Sequence, residues 1–269
     1  MLLSFNKETT WLNRNKFNEW DYMKLLTHLG IILFSIVVFV PHLQAGLSVD
    51  FESGIVSNGY NDVRIPGDRG TDISLTDDLK SEKSGFWRLR LGMDLGQRHR
   101  LSFLVAPLRL NASGEIERNV EYNGVSFESG ESLESRYRFD SYRLSYSYRL
   151  VQSSHLGFDI GLTAKIRDAA IEIKSGDKSS EKTNTGFVPL INFSLDWSFT
   201  PRLGLLVQGD ALAAPQGRAE DVLIALYANA SDSIRFRLGY RLLEGGADND
   251  EVYNFTLVNY LGVGLSLNF

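Results

Sequence analysis

Four histidines, no cysteine and scattered carboxylates set the limits of the chemistry that these 269 residues can carry. Without cysteine there is no thiolate nucleophile, no disulfide and no thiolate metal site. A general base working near neutral pH is most readily an imidazole, yet His28 and His42 flank an apolar N-terminal run, and His99 and His155 fall beside turn-forming residues. The best carboxylate cluster is Glu244, Asp248, Asp250 and Glu251, with Asn249 among them. Hard oxygen ligands at this density could hold Ca²⁺, and Asp248, Asp250 and Glu251 are weak metal candidates, but their spacing matches no calcium loop. A solvated acidic loop tip is the expectation, with no metal and no cofactor. Asp62, Asp68, Asp72, Asp77 and Asp78 read the same way. What remains is a dispersed set of arginines whose meaning depends on the elements that carry them.

Those elements are strands. From Leu47 onward the chain falls into segments of about ten alternating residues, joined by connections that are short and long in turn. The expected strands are Leu47 to Ser57, Phe86 to Leu95, Arg100 to Leu110, Arg136 to Leu150, His155 to Arg167, Phe187 to Phe199, Arg202 to Ala211, Asp221 to Ala230, Ser233 to Leu243 and Tyr253 to Phe269. That makes ten, with eight the competing count if the weak pair around Ala211 to Asp221 is one folded excursion. Tight turns are expected at Gly96 to Arg98, Val151 to Ser154, Thr200 with Pro201, and Ser231 with Asp232, where Gly, Pro, Ser and Asp supply the geometry. Longer polar stretches at Asn58 to Gly85, Asn111 to Ser135, Asp168 to Gly186, Ala213 to Glu220 and Glu244 to Val252 are expected to be loops.

The last nine residues, Leu261 to Phe269, alternate apolar with small or polar side chains and stop on an aromatic. With Leu261, Val263, Leu265, Leu267 and Phe269 on one face, this strand resembles the signal by which bacterial outer-membrane β-barrels are recognised for insertion by their assembly machinery. The resemblance implies an all-β fold, a closed antiparallel transmembrane barrel in the outer membrane of a Gram-negative cell, with short periplasmic turns and longer outer loops. It implies outer-membrane lipid and lipopolysaccharide as neighbours, and the barrel assembly machinery and periplasmic chaperones as partners. A soluble lipocalin-like barrel is the structural alternative; it would turn the same apolar face toward a ligand cavity.

The alternation also assigns faces. Ile191, Phe193, Leu195, Trp197 and Phe199 share one, and Asn192, Ser194, Asp196 and Ser198 the other. A basic residue facing lipid at the midplane costs about 2–4 kcal/mol, so polar faces point inward. The lumen then receives Asp50, Glu52, Asp94, Lys165, Arg202 and Asp210, together with nine pore-lining candidates: Arg88, Arg90, Arg143, Arg149, Arg235, Arg237, Arg241, Asp159 and Asp196. Two interpretations follow. The charges pair across strands into a solid polar core, which is favoured because so small a barrel has little interior left. Alternatively they line a thin anion-preferring path, for which Arg237 and Arg241, set about Gly239, are the first pair to test. Tyr142, Tyr146, Tyr148, Trp197 and Phe199 are expected in the aromatic girdles. Asn259 shares the lipid face with Leu261, which predicts a bulge or local lumenal turn near Asn259 and Tyr260.

The N-terminus reads as a targeting segment. Lys24, the apolar run Leu29 to Val40, Pro41 and the small Ala45 form a signal-peptide pattern over residues 23–45, with residues 1–22 expected to be untranslated, the start being at Met23, or else disordered. The run is shorter than the roughly 20 residues a spanning helix needs, and the barrel domain is expected over 46–269. A formal charge of -5 gives no reason to expect nucleic acid as a partner. The leading function is a non-enzymatic barrel with a structural or surface-interaction role. A porin-like, narrow, anion-preferring pore for small solutes is the runner-up, and a lipid-modifying or proteolytic outer-membrane enzyme is third. The known groups of such enzymes depend on histidine, and His99 and His155 are expected at the periplasmic turns.

Overall fold

The computed structural model describes residues 45–214 and 217–269, in which every regular element is a strand. In chain order these are β1 (Ala45–Arg64), β2 (Ile73–Ser74), β3 (Lys80–Ser81), β4 (Ser84–Leu95), β5 (His99–Ala106), β6 (Arg109–Glu115), β7 (Val120–Tyr122), β8 (Val125–Phe127), β9 (Ser132–Gln152), β10 (Leu156–Ser175), β11 (Lys178–Ser198), β12 (Leu203–Ala214), β13 (Gly217–Asn229), β14 (Ile234–Asp248) and β15 (Tyr253–Asn268). Ten of them make the wall, in the order β10, β11, β12, β13, β14, β15, β1, β4, β5, β9, and the antiparallel β9–β10 ladder closes the ring. Closure matters because a sheet edge cannot satisfy its backbone in hydrocarbon. The last residue takes part: Phe269 N–H donates to the Leu47 carbonyl at 2.8 Å and Leu47 N–H returns the bond at 3.2 Å. The segment read as a signal peptide lies, apart from Ala45, outside the described residues.

The outside of the wall is apolar. Leu162, Phe187, Ile191, Trp197, Leu226, Leu238 and Val263 are each 47–67% exposed, while Glu52, Arg88, Arg143, Arg237 and Arg241 are buried inside. A soluble monomer rarely exposes apolar patches beyond a few hundred Å²; a belt around the whole circumference is a lipid-facing surface. The lipocalin-like alternative is thereby excluded, since its apolar face would point inward. Trp197 and Phe199 pack edge to face at 5.0 Å on the outer surface, and Tyr146 is likewise outward and exposed.

Strand identity follows the sequence pattern, but strand length does not. The ten expected strands are all present, and the weak pair is a tight hairpin in which Ala214 pairs with Gly217. Residues 168–186, expected as a loop, instead extend β10 and β11 to a turn at Gly176, whose φ of 53° suits glycine. Beyond the bilayer the outward side chains need not be apolar, so the alternation fades from the sequence while Ile171 and Ile173 stay buried inside. The stretch from Asn58 likewise begins as the rest of β1, and 111–135 contains most of β6 with the β7–β8 hairpin. Two further expectations are corrected. The bulge near Asn259 lies across the ladder, where Gly59 is the extra residue between Asn58 and Tyr60 of β1; Asn259 keeps its outward place and accepts a hydrogen bond from the Tyr240 hydroxyl at 2.5 Å. Arg202 is exposed in the turn before β12 and does not enter the lumen.

The long connections fold into a lobe whose apolar core is continuous with the inward residues Val56, Phe86, Tyr137, Leu243 and Tyr260 of the wall. Leu75, Leu79, Leu110, Val120, Tyr122, Phe127, Leu133 and Ile173 are at most 1% exposed and pack in one apolar cluster. The Tyr122 hydroxyl donates to the Ile171 carbonyl at 2.8 Å, tying the β7–β8 hairpin to the extended β10. A clasp joins the first and second connections: Arg118 donates to both carboxylate oxygens of Asp78, at 2.9 and 2.6 Å. The guanidinium holds the Asp78 carboxyl below its usual range. A carboxylate so depressed adds stability above its unfolded pKa of about 3.9 and loses it as pH falls through the lower folded value. Pepsin cleavage in residues 68–83 is therefore expected to stay slow down to about pH 4 and to accelerate below it; a rate unchanged to pH 2 would remove the clasp from the account.

Candidate functional site

Arginines and carboxylates from six wall strands meet in the middle of the lumen. Asp221 on β13 is the hub: Arg88 of β4, Arg143 of β9 and Arg241 of β14 all donate to it, at 2.9, 2.6 and 2.5 Å. Arg143 also reaches Asp210 of β12 at 2.6 Å, and Arg241 grips Glu52 of β1 through two bonds of 2.9 and 2.7 Å. The chain of contacts continues through Arg237, which forms a two-pronged pair with Asp50 and lies 3.9 Å from Glu52. Side-chain exposures of 1–7% for all but Asp50 make this a water-poor layer. Four carboxylates and four guanidiniums make the bonded set, with Arg90 beside it opposite Asp50, and neutral donors complete it: Thr163 Oγ donates to Asp210 at 2.6 Å, and Ser266 to Asp50 at 2.5 Å. Bidentate guanidinium geometry explains why arginine serves here and lysine would not.

The local sequence makes room for these long side chains. A Cβ on Gly264 would come within 2.5 Å of the Arg237 guanidinium, and one on Gly92 within 2.6 Å of Arg100. Gly264 of the last strand, between Val263 and Leu265, thus gives Arg237 the surface on which it lies, while Gly262 lies against Phe86. Of the assembly-signal residues, Leu261, Val263 and Phe269 are exposed at 55%, 59% and 76% on the lipid side.

The nine pore-lining candidates therefore fall into three groups. Arg88, Arg143, Arg237 and Arg241 belong to the central layer. Arg149 with Asp159 (2.7 Å) and Arg235 with Asp196 (2.5 Å) form separate, partly exposed pairs toward the short-turn mouth; Arg235 also lies over the Tyr227 ring at 3.8 Å. Arg90 stands in register with Asp50 on the neighbouring strand. The residue that sequence reasoning missed is the hub. Strand β13 carries Val222, Ile224 and Leu226 outward but also Leu223, Ala225 and Tyr227 inward, so hydropathy alternation gives no parity and Asp221 receives no face. Its register opposite Leu243, two residues from Arg241, is the signal that places it.

The acidic loop tip is dispersed. Glu244 is held by Arg218 at 2.7 Å and accepts from Tyr60, Glu251 pairs with Lys182 at 3.3 Å, and Asp250 accepts a backbone bond from Asp68 at 3.3 Å. Among the described residues no group of three His, Cys, Asp or Glu is arranged to hold a metal ion, Asp248, Asp250 and Glu251 included. His99 contacts the Tyr146 hydroxyl at 2.8 Å and begins β5 after the short turn, and His155 lies in the turn before β10.

No protein-family model and no curated protein sequence matches this chain. Among solved structures, the outer membrane protease OmpT from Escherichia coli is similar with a TM-score of 0.55 and 9% identity, over 83% of this chain and 97% of that one. The translocator domain of the autotransporter NalP from Neisseria meningitidis (TM-score 0.40, 13% identity, 92% and 97% covered) and Ail of Yersinia pestis (TM-score 0.37, 12% identity, 83% and 99% covered) are more distant in shape. At such identities the likeness is one of fold, and it rests on the first of the three. The apolar wall, the charged interior and the ten-strand closure make this chain a β-barrel of the bacterial outer-membrane kind.

Proposed function

We propose that this protein is a non-enzymatic, non-conducting outer-membrane barrel that acts through the folded lobe on its outer side, in a structural or surface-interaction role. The observation that carries the reading is the central charge layer, because four arginines bonded to four carboxylates lie across the middle of the lumen, where a permeant ion would have to pass. Rings of basic residues favour anions only when their charge is left free to attract them; here it is spent on Asp50, Glu52, Asp210 and Asp221. The compact apolar core of the lobe supports a preformed outer surface, since ordered loops bind without the entropic cost of folding. The exposed terminal face supports engagement by the barrel assembly machinery and periplasmic chaperones, with lipopolysaccharide as the outer-leaflet neighbour.

Refolded residues 46–269 in a planar bilayer test this. No stepwise conductance is expected at neutral pH, and binding to a surface partner should be lost when the lobe is shortened while the barrel still folds. Reproducible anion-selective steps that change on neutralising Arg237 or Arg241 would replace this reading with the narrow pore.

A further inference from the structure

The wall is uneven above the charge layer. Among the described residues the β11–β12 ladder ends at Ile191 with Ala211, so Val188, Pro189 and Leu190 have no partner on β12, while β11 continues outward to Lys178 through its ladder with β10. Pro189 fits such a place: proline lacks the N–H that a central strand must donate and is confined to edges and bulges. A cavity of about 780 Å³ occupies the gap. It is lined by the inward Val188, Leu212 and Leu243, and also by Phe187 and Pro189, whose side chains face outward. The cavity thus reaches the unpaired stretch of β11 on one side and, at Asn249 to Val252, the outer rim of the barrel.

Lys165 and Arg167 of β10 also line the cavity. Lys165 is 2% exposed, with Nζ 4.8 Å from the Phe139 ring centre. Arg167 donates to the Asn184 amide oxygen, but its Nε is buried with no acceptor. Among the described residues neither forms a salt bridge, although Arg143, opposite Lys165 on β9, has two. The cations at the mouth are satisfied, Lys182 by Glu251 and Arg218 by Glu244. Buried positive charge without a bonded counter-ion is costly, and here Lys165 and Arg167 face the inner part of a cavity that is apolar at the β11–β12 gap and carries Glu244, Asp250 and Glu251, with Lys182 and Arg218, toward its outer rim.

We propose that this cavity binds a single-chain anionic amphiphile, its carboxylate or phosphate held by Lys165 and Arg167 and its acyl chain leaving between β11 and β12. A compact ammonium beside a forked guanidinium suits either head group. The volume lies within the roughly 300–1,000 Å³ of small-molecule pockets, enough for one chain and not for a whole multi-chain lipid.

The test uses residues 46–269 in phosphatidylcholine nanodiscs, with tritiated palmitate, 1-palmitoyl lysophosphatidate and hexadecanol as probes. Palmitate, lysophosphatidate or both should bind more tightly than hexadecanol, and which of the two binds identifies the head group. Lys165→Gln with Arg167→Gln should weaken binding of the anionic probe by about tenfold or more, as expected for loss of charge-assisted hydrogen bonds, and leave hexadecanol unchanged. Leu212→Trp, which fills the opening and spares both cations, should weaken all three. Arg167→Gln alone, the more exposed position, supplies the same contrast should the double variant fail to insert. Equal binding of hexadecanol and palmitate, or binding of the anionic probe indifferent to the cation substitutions, would overturn the proposal.

Discussion

Asp221→Ala is expected to destabilise the barrel by about 3–5 kcal/mol, the usual cost of removing one partner from a buried ion pair. The reason is geometric. Arg88, Arg143 and Arg241 all converge on this carboxylate, and only Arg143 and Arg241 have a second one, in Asp210 and Glu52. Without Asp221, three guanidiniums crowd one another in a layer where side chains are at most 7% exposed. Urea unfolding of the refolded protein, followed by its heat-modifiable gel shift, measures the effect. Asp159→Ala supplies the comparison, because its partner Arg149 is 37% exposed near the short-turn mouth and a pair so wetted contributes at most about 1 kcal/mol. Equal losses for the two variants would mean that the layer does not differ energetically from the mouth pairs.

Phe127→Ala should have an effect of similar size in a different place. Phe127 is 1% exposed in the core of the outer lobe, and truncating a buried phenylalanine costs about 3–5 kcal/mol. Its strand β8 pairs only with β7 in a separate two-stranded sheet, so although its side chain shares an apolar cluster with wall residues such as Tyr137 and Tyr260, the loss is expected first in the lobe. Hydrogen exchange should speed up in β7, β8 and the segment around Leu75 and Leu79, while wall amides keep their protection, as expected of separately cooperative units. A fall in the unfolding midpoint of the whole barrel, as large as that of Asp221→Ala, would show that lobe and wall unfold together.

What could be read from the sequence was whatever the lipid imposes. The bilayer requires an apolar outer face, so strands such as Ile191 to Phe199, with Trp197 and Asp196 on opposite sides, announce themselves by alternation. The same rule gave Arg88, Arg143, Arg237 and Arg241 their inward direction. It fails in two circumstances. Outside the bilayer the constraint lapses, and the outer halves of β10 and β11 look like loops although they are paired throughout. Where both faces are apolar, as on β13, parity is lost, and with it Asp221. Partners were legible only as a tendency: alternation places a charge inside but cannot say which of six strands will answer it. The cavity depends on a missing ladder between β11 and β12, which Pro189 hints at and only the register reveals.

The charge layer also sets an order of events. Asp50 and Glu52 are made near the start of the barrel sequence, and Arg237 and Arg241 lie 187 and 189 residues later. The β1–β4 ladder sets Arg90 opposite Asp50 and Arg88 opposite Glu52 early, but the two-pronged partners Arg237 and Arg241 reach them only when the sheet curls back on itself and brings β14 across from β1. Until then the early carboxylates lack the forked, charge-assisted bonds that are the strong ones. The finished geometry of the layer is thereby tied to ring completion: a truncated or misregistered chain would keep the neighbouring-strand charges and lack the bidentate grip of Arg237 and Arg241.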